Sequence, residues 1–334
     1  MNRPMHKLHK GSRVTLLVIS SSIFGRIGFY KSFRIYKKIT FFFFFLFFAG
    51  ICNAQNIKIK KEKEYVAKTF RGIQLINSQT TEIGSPKSFF FILQHRFGST
   101  DINEKFMSNF MGIDLVSNVR FAFAVPIKKR ILLTAGRTRY KKHFDFSGKY
   151  TFFKQTTNNS TPFSAALNLN LAVMSDKFLP VPPNNFYGNG TDPFLYEDIH
   201  RLSYTSQLIL ARKFSNFLSL QVAPTFIHRN LAKDYEGSDL YVIPFGGQIK
   251  TGLFNSIIFE YAYVIEKPPH LLHPYSIGWQ QETVSHIFQI FISSTNRILD
   301  FSHYTSENQE DILKGKFYVG FNLNKKLWIK KVSL

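Results

Sequence analysis

The amino-acid sequence predicts an all-β fold, a single antiparallel transmembrane β-barrel of about 12 strands. Three observations predict it: an export leader, apolar and polar residues alternating with period two, and no later apolar run long enough for a helical span.

The leader comes first. Residues 1–54 carry nine basic residues and no acidic one, and Lys37-Lys38 lead straight into the apolar run 39–51 and then Cys52-Asn53-Ala54. A basic segment, an apolar core of roughly 7–15 residues and a small residue at the cut make a signal peptide, with cleavage after Ala54. The run is shorter than the ~20 residues a spanning helix needs, which argues against a retained anchor. Ile51 is branched where lipidation sites take a small residue, so lipidation of Cys52 is the weaker reading. The basic segment is atypically long; its own apolar stretch, Val14 to Gly25, is stopped by Arg26, and a start codon further down would remove it. Residues 55–334 then form one exported domain, expected in the outer membrane of a Gram-negative envelope. Cys52 is the chain's one cysteine, which excludes a disulfide framework and a cysteine zinc site.

A formal charge of +22 invites a nucleic-acid reading. The leader holds part of that excess, and the basic residues at 58–63 are interleaved with Glu62 and Glu64, so no nucleic-acid partner is expected.

Beyond the leader the strands declare themselves by parity. Phe163, Ala165, Leu167, Leu169, Leu171 and Val173 fall on one face, opposite Ser164, Asn168 and Asn170; a helix would scatter them, whereas a strand sorts them by face. Val119, Phe121, Phe123 and Val125 alternate with Asn118, Arg120, Ala122 and Ala124. The same pattern marks 218–223 and 257–265, and weaker versions mark 70–77, 88–97, 130–140, 143–153, 201–212, 240–250, 283–294 and 316–323. A soluble barrel or sandwich would show the same alternation. Strands of about ten residues, with Phe and Tyr at the ends of their apolar faces, fit a membrane barrel better, whose apolar side meets lipid. Counted from Phe70, this register puts the short turns 127–129, 213–217 and 252–255 at one end. The long connections 98–115, 175–200 and 267–282 fall at the end bearing the N-terminus. Bacterial barrels place short turns and long loops the other way round.

Charges within strands carry the functional expectation. An Arg or Lys facing lipid at mid-bilayer costs about 2–4 kcal/mol, so Arg96, Arg120, Arg137, Lys149 and Glu260 are expected to line the lumen. Arg139, Arg201, Arg212 and Lys250 are expected to line it too or to lie near a rim. Two readings stand side by side: a basic lumen that passes small anions, or an internal lattice of arginine, carboxylate and amide groups that fills a narrow barrel.

Catalytic signatures are sparse. There is no Gly-x-Ser-x-Gly elbow, His-Glu-x-x-His or phosphate-cradling glycine loop, and no catalytic residue, cofactor or metal is expected. His270 and His273 in a proline-rich loop read as solvated side chains. Ser285 and His286, with Glu282, are the nearest approach to a hydrolytic arrangement and read as a polar cluster at a strand end.

Phe70-Arg71-Gly72, Leu93-Gln94-His95-Arg96-Phe97-Gly98, Gly112-Ile113-Asp114, Asn118-Val119-Arg120, Gly136-Arg137 and Lys149-Tyr150 with Gln155 resemble the first half of a Gram-negative β-barrel family, domain of unknown function 5777. Ser276-Ile277-Gly278, Glu282-Thr283 and His286-Ile287-Phe288-Gln289 are similar to its C-terminal signature, with a departure at Val284-Ser285, where family members more often carry glycines. The resemblance covers most of residues 66–324. It implies a barrel in the outer membrane and brings no activity.

The expected protein is therefore a non-enzymatic envelope barrel with the lipid bilayer as its partner, structural or a narrow passage for small anionic solutes. The alternatives are a lipid-modifying barrel acting near Ser285 and His286, and a soluble periplasmic barrel holding an apolar ligand. Mass spectrometry of the exported protein should find Gln55 as its first residue; a leader retained in the membrane fraction would contradict the cleavage site.

Overall fold

The computed structural model describes residues 64–329 apart from 104–107, 182–185, 187–191, 233–236, 268–270 and 306–308. The leader, Cys52 and His270 lie outside the described residues. Strands β1 (Ser88–Asp101), β2 (Asn118–Lys128), β3 (Ile131–Thr138), β4 (His143–Phe153), β5 (Ser164–Met174) and β6 (Leu202–Lys213) follow one another as antiparallel neighbours. So do β9 (Asp239–Lys250), β10 (Asn255–Val264), β11 (Tyr275–Glu282), β12 (His286–Ser293) and β13 (Lys316–Trp328). Between β6 and β9 stand β7 (Leu218–Val222) and β8 (Thr225–Arg229), both paired with the same two neighbours. They are two halves of one stave, interrupted at Ala223-Pro224 because proline has no N–H to give the ladder. The sheet closes where β1 pairs β13 from Ser88 opposite Trp328 to Asp101 opposite Lys316. Twelve staves make a barrel without a free edge.

Parity sorts the side chains as a membrane barrel requires. Phe121 and Phe123 are 51% and 53% exposed, whereas Ala122 and Ala124 beside them are 1% and 0% exposed. Leu133, Phe146, Leu169, Ile277 and Ile290 share the outer face, and Phe91 packs between Phe121 and Phe123 there. Inward stand Gln94, Asn118, Asn168, Gln207, Gln248, Gln289 and Asn322, all buried. The apolar side meets the surroundings and the amide-rich side meets the lumen, the reverse of a soluble sandwich.

Two expectations about the elements are corrected. Residues 70–77 are not a strand but part of a segment folded inside the barrel, and Tyr275–Glu282, expected to be a connection, is β11. The exchange leaves twelve staves but reverses the register of ends. Ser88 and Trp328 lie at the end of the short connections 129–130, 214–217, 251–254 and 283–285, and the long connections 102–117, 175–201, 265–274 and 294–315 lie at the other. Strand β11 was hidden by Pro268, Pro269 and Pro274 ahead of it and by Gly278 in its middle. That glycine has a packing reason. In register, Gly278 of β11, Phe291 of β12, Gly320 of β13 and Arg96 of β1 form one row. A Cβ at Gly320 would meet the inward-pointing Phe291 ring at 2.7 Å.

The lumen is filled from both ends. The helical turn α1 (Asp300–His303) brings Leu299, Phe301 and Tyr304 against Ala172, Ile227, Leu240, Val242, Ala262 and Val264 toward the long-loop end. From the other end Phe70, Leu75 and Ile76 reach Ala211, Ile258 and Phe291. Single cysteines at Phe121 or Phe123 should be reached by lipid-soluble spin-label reagents in reconstituted barrels, and cysteines at Ala122 or Ala124 should not; equal access would refute this sidedness.

Candidate functional site in the barrel lumen

Residues 69–83 form the site's centre. The segment doubles back on itself through Leu75 N–H to Ser78 O at 2.9 Å and Thr80 N–H to Ile73 O at 3.0 Å, with Gln74 bridging Gln79. So short a hairpin leaves most of its backbone groups without a partner of its own, and a buried unpaired group costs about 1–3 kcal/mol. The staves supply what it lacks.

Glu260, inward on β10, accepts from Asn77 N–H at 2.9 Å, Asn77 Nδ2 at 3.1 Å and Ser78 N–H at 2.8 Å. Arg96 on β1 donates to Asn77 Oδ1 at 3.0 Å and Asn322 Oδ1 at 2.9 Å, with its guanidinium over the Phe291 ring at 4.3 Å. Asn322 on β13 donates to Ile76 O at 2.8 Å and to Gln289 at 2.7 Å. Opposite them, Lys149 on β4 gives Nζ hydrogens to Ile73 O and Thr80 O, each at 2.9 Å, and Thr151 donates to Thr81 O at 2.8 Å. On β7, Ser219 donates to Thr69 O and Gln221 to Gln79 O; on β9, Gln248 accepts from Arg71 N–H. The contacts come from β1, β4, β7, β9, β10 and β13, all round the ring. We call the segment the plug.

Beside the plug lies a second polar group. Arg120 on β2 donates to both oxygens of Asp145 on β4 and, at 2.7 Å, to Gln94 on β1. It crosses β3 at Gly136, where a Cβ would sit 2.8 Å from Arg120 Nη2 and from Asp145 Oδ1. The glycine clears the path for a two-pronged arginine–carboxylate pair.

The structure thus places Arg96, Arg120, Lys149 and Glu260 inside. Arg137 is corrected: its side chain is on the outer face, exposed, with its guanidinium over the Phe144 ring at 4.5 Å. It has the opposite parity to Arg120 and Lys149, and it stands one residue from the end of β3, where a charge reaches the rim. Arg139 and Arg201 also lie at the long-loop end, bonded to Ser117 O and to Met174 O and Asp176 O. Ser285 Oγ and His286 Nδ1 come to 2.9 Å, but Glu282 is bonded to Lys68 and Arg71 instead, at 2.9 and 3.0 Å. His273 takes the Val264 N–H and stacks on Tyr263. Sequence reading missed Asn77, Ser78, Asn322 and Asp145. Their one signal was inward parity, and for the plug residues there was no strand to define it.

Glu260→Ala strips the plug of three hydrogen-bond acceptor contacts and should lower stability by about 3 kcal/mol, read from urea unfolding in lipid vesicles. Glu260→Gln keeps one carbonyl oxygen and should lose less; equal losses would mean the acceptor contacts do not matter.

No curated protein sequence matches the chain. Among solved structures the KdgM porin aligns at a TM-score of 0.43 with 8% identity, over 71% of this chain and 98% of that one. The NanC porin aligns at 0.43 with 5% identity, over 72% and 100%. A mutant of the Rh. blastica porin aligns at 0.29 with 9% identity, over 63% and 55%. The model of the membrane-bound β-barrel domain DUF5777 matches residues 70–327, a stretch that opens within the plug and reaches all twelve staves, ending one residue short of the last stave's end, and the chain belongs to that family.

Proposed function

We propose that the protein is a non-enzymatic outer-membrane barrel, exported by its leader and held shut by its own plug, so that its resting role is structural. The observation that carries this reading is the ring of contacts to residues 69–81 from six strands spread around the barrel. A solute crossing the lumen would have to break several of these at once, each on a buried partner. For placement in the outer membrane, the support is the sequence of the leader together with the apolar outer face. Against hydrolytic chemistry stands the engagement of Glu282 by Lys68 and Arg71, which among the described residues leaves the Ser285–His286 pair without an orienting carboxylate.

A narrow passage for small anionic solutes is the second reading, favoured by Arg96, Arg120 and Lys149 on the inner wall. It requires the plug to leave. Both readings meet in one measurement. In planar bilayers the full barrel should give no steady ion current, and a barrel lacking residues 70–83 should conduct in steps. Steady current through the wild type would overturn the closed reading. In the opened barrel, Arg120→Glu should shift selectivity toward cations; unchanged selectivity would remove the anion passage.

A further inference from the structure

At the short-turn end a cavity of about 350 Å3 lies at the base of the plug, within the size range of small-molecule sites. Its wall holds four cations, Lys68, Arg71, Lys154 and Lys326, and two carboxylates, Glu82 and Glu282. The carboxylates are already used. Glu282 takes Lys68 and Arg71, and Glu82 accepts the backbone N–H groups of Thr69 and Phe70. Among the described residues Lys154 and Lys326 then form no ion pair, and the Lys326 ammonium lies 3.8 Å over the Trp328 ring.

The same wall contains polar atoms without a partner. Asn324, 2% exposed, has neither its amide nitrogen nor its amide oxygen hydrogen-bonded, and the hydroxyl of Thr81, 4% exposed, is likewise unmatched. Such atoms are rare in folded proteins because each carries its full desolvation cost. The surroundings bias the sign of any ligand. Lys87, Lys128, Lys129, Arg130, Lys213 and Lys250 stand on the same end of the barrel, and Glu64 is the one further described carboxylate there. A concave site under an excess of one charge concentrates the opposite one.

We propose that this cavity binds a small oxyanion, a phosphate group above all, between Lys154 and Lys326, with Asn324 and Thr81 as the neutral hydrogen-bond partners. Phosphate suits two flanking ammonium groups and neutral donors together, since charge-assisted bonds to it are short and strong. Because Thr69, Arg71, Thr81 and Glu82 belong to both cavity and plug, the ligand would fasten the plug's two ends. The site stands whether or not the lumen conducts.

The test is isothermal titration of the full barrel in zwitterionic detergent with glycerol 3-phosphate, with glycerol as the uncharged control. Saturable binding is expected for the phosphate only, at least tenfold weaker in the double variant Lys154→Gln, Lys326→Gln, which should keep the wild-type heat-modifiable gel shift because neither lysine forms a close ion pair among the described residues. Asn324→Leu should weaken binding as well while leaving its salt dependence in place. No saturable binding by the wild type, or unchanged affinity in the double variant, overturns the proposal. Repeating the titration in phosphatidylcholine and in phosphate-free digalactosyldiacylglycerol vesicles, both uncharged overall, identifies the source: binding lost only in the former points to a lipid phosphate in the cavity, binding kept in both to a soluble one, and binding lost in both overturns the proposal.

Discussion

The closing seam between β1 and β13 is the constraint on which the rest depends. A sheet in hydrocarbon cannot keep an open edge, since each unpaired backbone group there costs several kcal/mol. Once Ser88 is locked opposite Trp328 and Asp101 opposite Lys316, every stave has two neighbours and two unlike faces. Everything placed inward is then cut off from lipid and, where the lumen is narrow, from bulk water. Amides and charges on that face must find one another or find the plug.

This explains why the interior is built as a lattice. Arg120 has Asp145 and Gln94, while Asn322 links Arg96, Gln289 and the plug's Ile76 carbonyl. A twelve-stave barrel leaves more room than its own side chains fill. The plug and the turn Asp300–His303 occupy it with backbone carbonyls, N–H groups and a few apolar anchors. The inward Phe291 shows how closely the two systems are fitted: Gly320 makes space for its ring and Gly278 for its Cβ, Arg96 covers it, and Phe70, Leu75 and Ile76 pack in the same cluster. The lattice and the plug are therefore one structure, and the cations that suggested an anion path serve first as its fasteners.

The two ends of the barrel differ in kind. At the long-loop end acids and bases are mixed, as in the Lys142–Asp176 and Lys316–Asp101 pairs. The short-turn end carries cations in excess of carboxylates, and its cavity is shared with the plug. A charge asymmetry of this type acts on small ions and head groups near that mouth and falls off within roughly 10 Å at ordinary salt.

By itself the sequence determined the class of fold, because side-chain parity is a local property: Val119, Phe121 and Phe123 against Arg120 and Ala122 can face two media only on a strand. Inward parity was also legible for Arg96, Arg120, Lys149 and Glu260, each buried in the folded barrel. Where the alternation was real but the strand was not, at 70–77, or where prolines and a glycine masked it, at Tyr275–Glu282, local pattern misled. Arg137 shows the same limit one residue from a strand end. Only the tertiary structure decided that the first predicted strand is a plug, that Ser88 and Trp328 sit with the short turns, and that Lys149 and Glu260 hold one loop between opposite walls. Those contacts join residues 69 to 183 positions apart, and nothing in a neighbouring residue's chemistry reveals which distant group will complete a buried hydrogen bond.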